Sequence, residues 1–142
     1  FVYEQNIEKN NLDNNTILNI GGDDDIIIKI EMKNLISESN QGEESYILNI
    51  NSKKTVKNLV VEDNQVASQI EISHDIEYAL FNTLESCSVS NKKIKTTSEY
   101  NAKSSGYDYG SDSSKGEIIT QNIKNNIRQY LQYISSLENF KC

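Results

Sequence analysis

Apolar residues along the chain fall into short runs, and their spacing changes about halfway. Residues 1–15 are polar and Asn-rich, with only Phe1, Val2, Tyr3, Ile7 and Leu12 to bury, which suggests an arm or an edge strand. Two apolar runs, 16–20 and 25–32, follow on either side of Gly21-Gly22-Asp23-Asp24, a composition typical of a turn between strands. In the second run Ile26, Ile28, Ile30 and Met32 alternate with Ile27, Lys29 and Glu31, the two-residue period of a half-buried strand. Residues 37–44 read as a loop. Tyr46, Leu48 and Ile50 alternate with Ile47, Asn49 and Asn51, and further runs at 55–61 and 66–72 flank the turn signal Glu62-Asp63-Asn64-Gln65. The first half therefore predicts an antiparallel sheet of about five strands.

The second half reads differently. Ser73 is placed to cap a helix whose first turn carries Asp75 and Glu77, the charge that suits a helix N-terminus. Ile76, Ala79, Leu80, Thr83, Leu84 and Cys87 then fall at three- and four-residue spacing. Residues 88–115 hold eight Ser and five Lys and few apolar side chains, and read as a long polar surface loop with at most a weak strand near Ile94. Ser114-Lys115-Gly116-Glu117 matches a capping box. Beyond it Ile119, Ile123, Ile127, Tyr130, Leu131, Ile134 and Leu137 form one stripe, and Asn122 with its polar neighbours covers the rest. The fold class expected is α+β: an N-terminal antiparallel sheet followed by two amphipathic helices packed on it, as a single domain over 1–142.

Composition narrows the function classes. Nineteen Asn, nineteen Ile and thirteen Lys stand against one Arg and no Pro or Trp, the bias of an AT-rich coding sequence, so Asn abundance is not itself a binding signal. The net charge is −7, with 13 acids and 6 bases in residues 1–71 and 8 of each in 72–142. An acidic chain with one Arg is a poor ligand for nucleic-acid backbones, so no nucleic-acid partner is expected. No apolar run is long enough to span a bilayer. The first residue is Phe1 and not Met, which suggests that something upstream was lost, such as a signal peptide, a tag or another domain.

Cys87 and Cys142 are the two cysteines. A bond between them would close 54 intervening residues, and closing a loop of that size is worth roughly 4 kcal/mol in the chain-entropy picture. An even count with one Cys at the terminus favours this disulfide over two unrelated thiols, and the bond, if formed, implies a setting outside a reducing cytosol. Asn14-Asn15-Thr16 is a glycosylation sequon, close to chance in so Asn-rich a chain.

Candidate chemistry is sparse. His74 is the sole histidine, and Ser73 and Asp75 beside it cannot face it as triad partners, so no catalytic residue is assigned and no cofactor is expected. Between two strands, Gly21-Gly22-Asp23-Asp24-Asp25 resembles the hairpin of palm-type nucleotidyl transferases and diguanylate cyclases, whose turn carboxylates hold metal ions. Those families also need an earlier metal-binding strand and preceding helices, for which the twenty residues before Gly21 leave no room. Asp23, Asp24 and Asp25 remain a weak Ca²⁺ candidate, and a solvated turn explains them better. Tyr107, Asp108 and Tyr109, set among Ser and Gly, have the composition of a protein-binding loop.

Two functional readings follow. The first is a non-enzymatic extracellular or surface-exposed module at a cell or virion surface, a subunit of an assembly or a recognition domain, braced by Cys87–Cys142 and partnered by protein or by itself. The second is an intracellular acidic inhibitor of immunity type that meets a basic partner through residues 1–71, the setting expected if the thiols are free.

Overall fold

The computed structural model describes residues 12–40, 42–61, 67–100 and 108–137. The element order is β1 (Thr16–Gly22), α1 (Asp25–Leu35), β2 (Tyr46–Val61), β3 (Ala67–Asn82), β4 (Cys87–Tyr100) and α2 (Asp108–Ser135). The four strands form one mixed sheet in the order β1-β2-β3-β4. β1 runs parallel to β2, from Thr16↔Tyr46 to Gly22↔Ser52. β2–β3 and β3–β4 are long antiparallel pairs. A parallel pair needs a crossover, which α1 supplies.

The α+β class stands, with four strands and helices that alternate with strands in the chain, where the sequence suggested about five strands and then two helices. Residues 25–32 are helical and not a strand. The buried positions are Ile28, Met32 and Ile36, four apart, while Ile26 and Ile30 are exposed. A run of isoleucines satisfies both periods; the left-handed backbone at Gly22 (φ 94°) and Asp24 (φ 58°) breaks the extended chain and starts the helix.

Residues 73–82 are the reverse case. Ile72, His74, Ile76, Tyr78 and Leu80 are buried at every second position, so β3 continues where a helix was expected. Ala79 on the other face, with Thr83 and Leu84 in the turn that follows, produced the false helical spacing. The strand ends in a turn where the Asn82 side chain accepts hydrogen bonds from the N–H groups of Leu84 and Glu85. Within the expected loop over 88–115, residues 88–100 belong to β4 and 108–115 to α2, while 101–107 lie outside the described residues. β4 is nearly silent in hydropathy because only Ile94 on its covered face is a large buried hydrophobe. Leu12, within the expected arm, is fully buried, while residues 1–11 lie outside the described residues.

Both helices pack on one face of the sheet, α1 against β1 and α2 across β3 and β4. The core between them is formed by Leu48, Ile50, Ile72, Ile76 and Leu80 from the strands and Ile28, Met32, Ile123 and Ile127 from the helices. The rings of Tyr78 and Tyr130 stack inside it with centroids 4.0 Å apart.

Candidate functional site

Gly22 comes so close to β2 that a Cβ there would lie 2.2 Å from the Ser52 carbonyl oxygen. Asp23 N–H donates to the same carbonyl (2.9 Å), and the Asp23 carboxylate accepts from Lys54 N–H (2.7 Å). Asp24 does not cap its own helix. Its carboxylate turns inward to Lys54 Nζ (3.3 Å) and to His74 Nε2 (2.9 Å). Asp25 stays exposed in the first turn of α1. Asp23 and Asp24 therefore serve separate structural contacts while Asp25 faces solvent, and among the described residues no group of three potential ligands gathers to hold a metal ion. The turn joins a strand to a helix, so the resemblance to a metal-binding hairpin ends at the sequence.

His74 is fully buried and belongs to a polar network between β3, β4 and α2. Asn122 Nδ2 donates to His74 Nδ1 (2.7 Å) and to the Thr96 carbonyl (3.0 Å), while Asn122 Oδ1 accepts from Ser98 Oγ (3.0 Å). This amide orientation makes Nδ1 an acceptor, which puts the ring hydrogen on Nε2, pointing at Asp24. One turn on, Asn126 Oδ1 accepts from Tyr78 OH (2.7 Å), and its Nδ2 reaches the Ile94 carbonyl (2.8 Å) and Thr96 Oγ1 (3.0 Å). Burial pushes the Tyr78 and Tyr130 hydroxyls well above the usual tyrosine range, with each ring's tyrosine neighbour adding to the shift. Asn122 and Asn126 are 1% and 0% exposed, within the stripe where only apolar residues were expected. Their position three residues after Ile119 and Ile123, and four from each other, was the available signal. The network cross-links β3, β4 and α2 and reaches the start of α1 through Asp24, and its Thr96 and Asn122 also line the groove between β4 and α2.

The remaining sequence candidates do not converge. Cys87 opens β4 and is not a free thiol; Cys142 lies outside the described residues. Asp108 and Tyr109 have helical backbone at the start of α2, and Tyr107 lies outside the described residues. Thr16 is buried with its hydroxyl bonded to the Leu12 carbonyl (2.8 Å), so the hydroxyl a sequon needs is engaged.

Among the described residues, two accessible hollows carry polar side chains. The uncovered face of the sheet carries Asn19, whose amide donates to Asn49 (3.0 Å), with Asn51 and Glu77 around a hollow of about 480 Å³ floored by Gly21 and Ala79. The second is a groove of about 420 Å³ between β4 and α2, which includes Lys95, Thr97, Asn125, Arg128 and Gln129.

No protein-family profile matches the chain, and no curated protein matches it. Solved structures do. A protein described as a lipoprotein from Caulobacter crescentus CB15 superposes with a TM-score of 0.64 at 10% identity, covering 96% of this chain and 94% of that one. A minor lipoprotein from Acinetobacter baumannii gives 0.60 at 11% identity, with 87% and 91% covered. Rare lipoprotein B from Shewanella oneidensis gives 0.56 at 12%, with 86% and 95% covered. At such identities the likeness concerns fold, so the conclusion is that this chain has a fold in common with bacterial lipoproteins.

Proposed function

We propose that the chain is a non-enzymatic, surface-associated module of a bacterial envelope that works as a subunit or recognition domain within a protein assembly. The observation that carries this reading is the likeness of fold, over nearly its whole length, to proteins named as lipoproteins. Enclosure of His74 supports it, since the chain's one imidazole is occupied in holding elements together. A Cys87–Cys142 bridge belongs to the same reading, because it would persist only in an oxidising compartment. The acidic-inhibitor alternative finds less support: Asp23 and Asp24 are engaged with Lys54 and His74, and Glu38 bonds the Leu18 N–H and Lys33.

The test is fractionation of cells making the full-length gene product, with thiol alkylation before and after reduction. Recovery with the envelope, and cysteines that alkylate only after reduction, are expected. A cytosolic chain with two reactive thiols would overturn the reading in favour of the inhibitor.

A further inference from the structure

β4 ends the sheet, and the register shows which of its backbone groups face outward. Asn126 Nδ2 donates to the Ile94 carbonyl at 2.8 Å and also reaches the His74 carbonyl at 3.4 Å. His74 pairs with Thr96 and Ile76 with Ile94, so one amide reaches both carbonyls only if they point into the space between β3 and β4. In an antiparallel pair the N–H and C=O of a residue point to the same side, and successive residues alternate. Ile94 and Thr96 thus pair inward, and Lys93, Lys95 and Thr97 present their backbone groups outward. Beyond them no further strand lies among the described residues, and all three side chains are exposed.

Side chains on the uncovered face show what would fit there. Across β2, β3 and β4 one row reads Lys53, Asp75, Lys95 and the next reads Asn51, Glu77, Lys93. Opposite charges facing each other across strands stabilise a sheet, and like charges oppose it. The position after Lys95, and the one after Lys93, is therefore suited to a carboxylate. On the other side of the same edge, a strand's alternate side chains would point into the groove that holds Arg128. A second copy of β4 fits less well, because in an antiparallel pair its Glu99 can face only one of the two lysines and leaves the other without a carboxylate.

We propose that the outer edge of β4 accepts an added strand from a protein partner, an extended acidic segment with carboxylates at alternate positions opposite Lys93 and Lys95. This deepens the recognition-module reading and rests on it. Backbone pairing would give the affinity and the lysines the register, as in other strand additions.

The test titrates the full chain with a short synthetic peptide alternating Glu and Thr, and with its Gln-for-Glu twin, while following amide exchange residue by residue. Binding is expected to slow exchange at Lys93, Lys95 and Thr97, with the twin about tenfold weaker. Lys95→Glu should weaken binding by a similar factor, about tenfold. Thr97→Pro should abolish the protection, since it removes an outward donor and leaves pairing to β3 intact; if that variant misfolds, Lys95→Glu alone decides. Absence of binding, equal affinity for the twin, or binding without protection of these amides would overturn the proposal, leaving lysines that merely ward off strand pairing. Protection of the same amides without peptide, in a chain that sediments as a dimer, would overturn it in favour of a second copy. Cell fractionation tests the parent reading independently, so an envelope protein that ignores the peptide refutes only the edge assignment.

Discussion

The two faces of the sheet use the same amide chemistry in opposite ways. Under α2, Asn122 and Asn126 are sealed from solvent and each bonds several partners from β3 and β4. On the uncovered face Asn19 and Asn49 are exposed and share one hydrogen bond. A buried amide left unpaired costs far more than an exposed one, because water cannot replace the lost partner. Composition supplied Asn everywhere; burial decides which copies hold the fold and which are available to a partner.

The sharpest way to break this comparison is Asn126→Ala, which strands Tyr78 OH and removes a donor from Thr96 and Ile94. It should cost about 3 kcal/mol in denaturant unfolding. A loss under 1 kcal/mol, about the value of one ordinary hydrogen bond, would show the network to be incidental. Gly22→Ala comes next, at about 2 kcal/mol, because it combines a positive φ with a clash against the Ser52 backbone. Thermal melts of that variant should also show α1 loosening first, as its N-terminal anchor shifts.

The stacked tyrosines give a finer contrast. Tyr78→Phe leaves Asn126 Oδ1 without its donor and should cost about 1 kcal/mol. Tyr130→Phe removes a buried hydroxyl that has no partner among the described residues, and should be neutral or slightly stabilising. Both hydroxyls titrate later in the folded chain than in the unfolded one, whose tyrosines release protons near pH 10. The folded state therefore keeps its full advantage below about pH 10 and loses it as pH rises further. A Tyr130→Phe variant should show a shallower alkaline loss in pH-dependent unfolding. Smallest of all is Lys53→Ala on the uncovered face, expected within about 0.5 kcal/mol of the parent. A larger effect there would mean that the charge rows support the sheet more than surface pairs usually do.

Much of the fold was legible where one periodicity dominated. The stripe of Ile119, Ile123, Ile127, Tyr130 and Ile134 identified α2, and 16–20 and 46–51 were already strands. Legibility failed where a segment satisfied two periods. Isoleucines at 26, 27, 28 and 30 fit a strand or a helix, and 76–84 fit a helix only because Ala79 lies on the sheet's other face and Thr83 and Leu84 in the turn that follows. β4 failed for another reason: Ser90, Thr96 and Ser98 on its covered face bond to α2, so polar residues occupy positions that hydropathy reserves for apolar ones.

The sequence by itself determined the α+β class, the long C-terminal helix, the acidic balance and the scarcity of catalytic groups, because each follows from local spacing or from composition. Only the tertiary structure decided that Asp24 faces His74 across fifty residues of chain, that two asparagines of α2 bridge sheet carbonyls, and that β4 is the last strand of the sheet among the described residues, with Lys93 and Lys95 facing outward. Those contacts join residues far apart in sequence, and strand register and helix docking, which no local period encodes, bring them together.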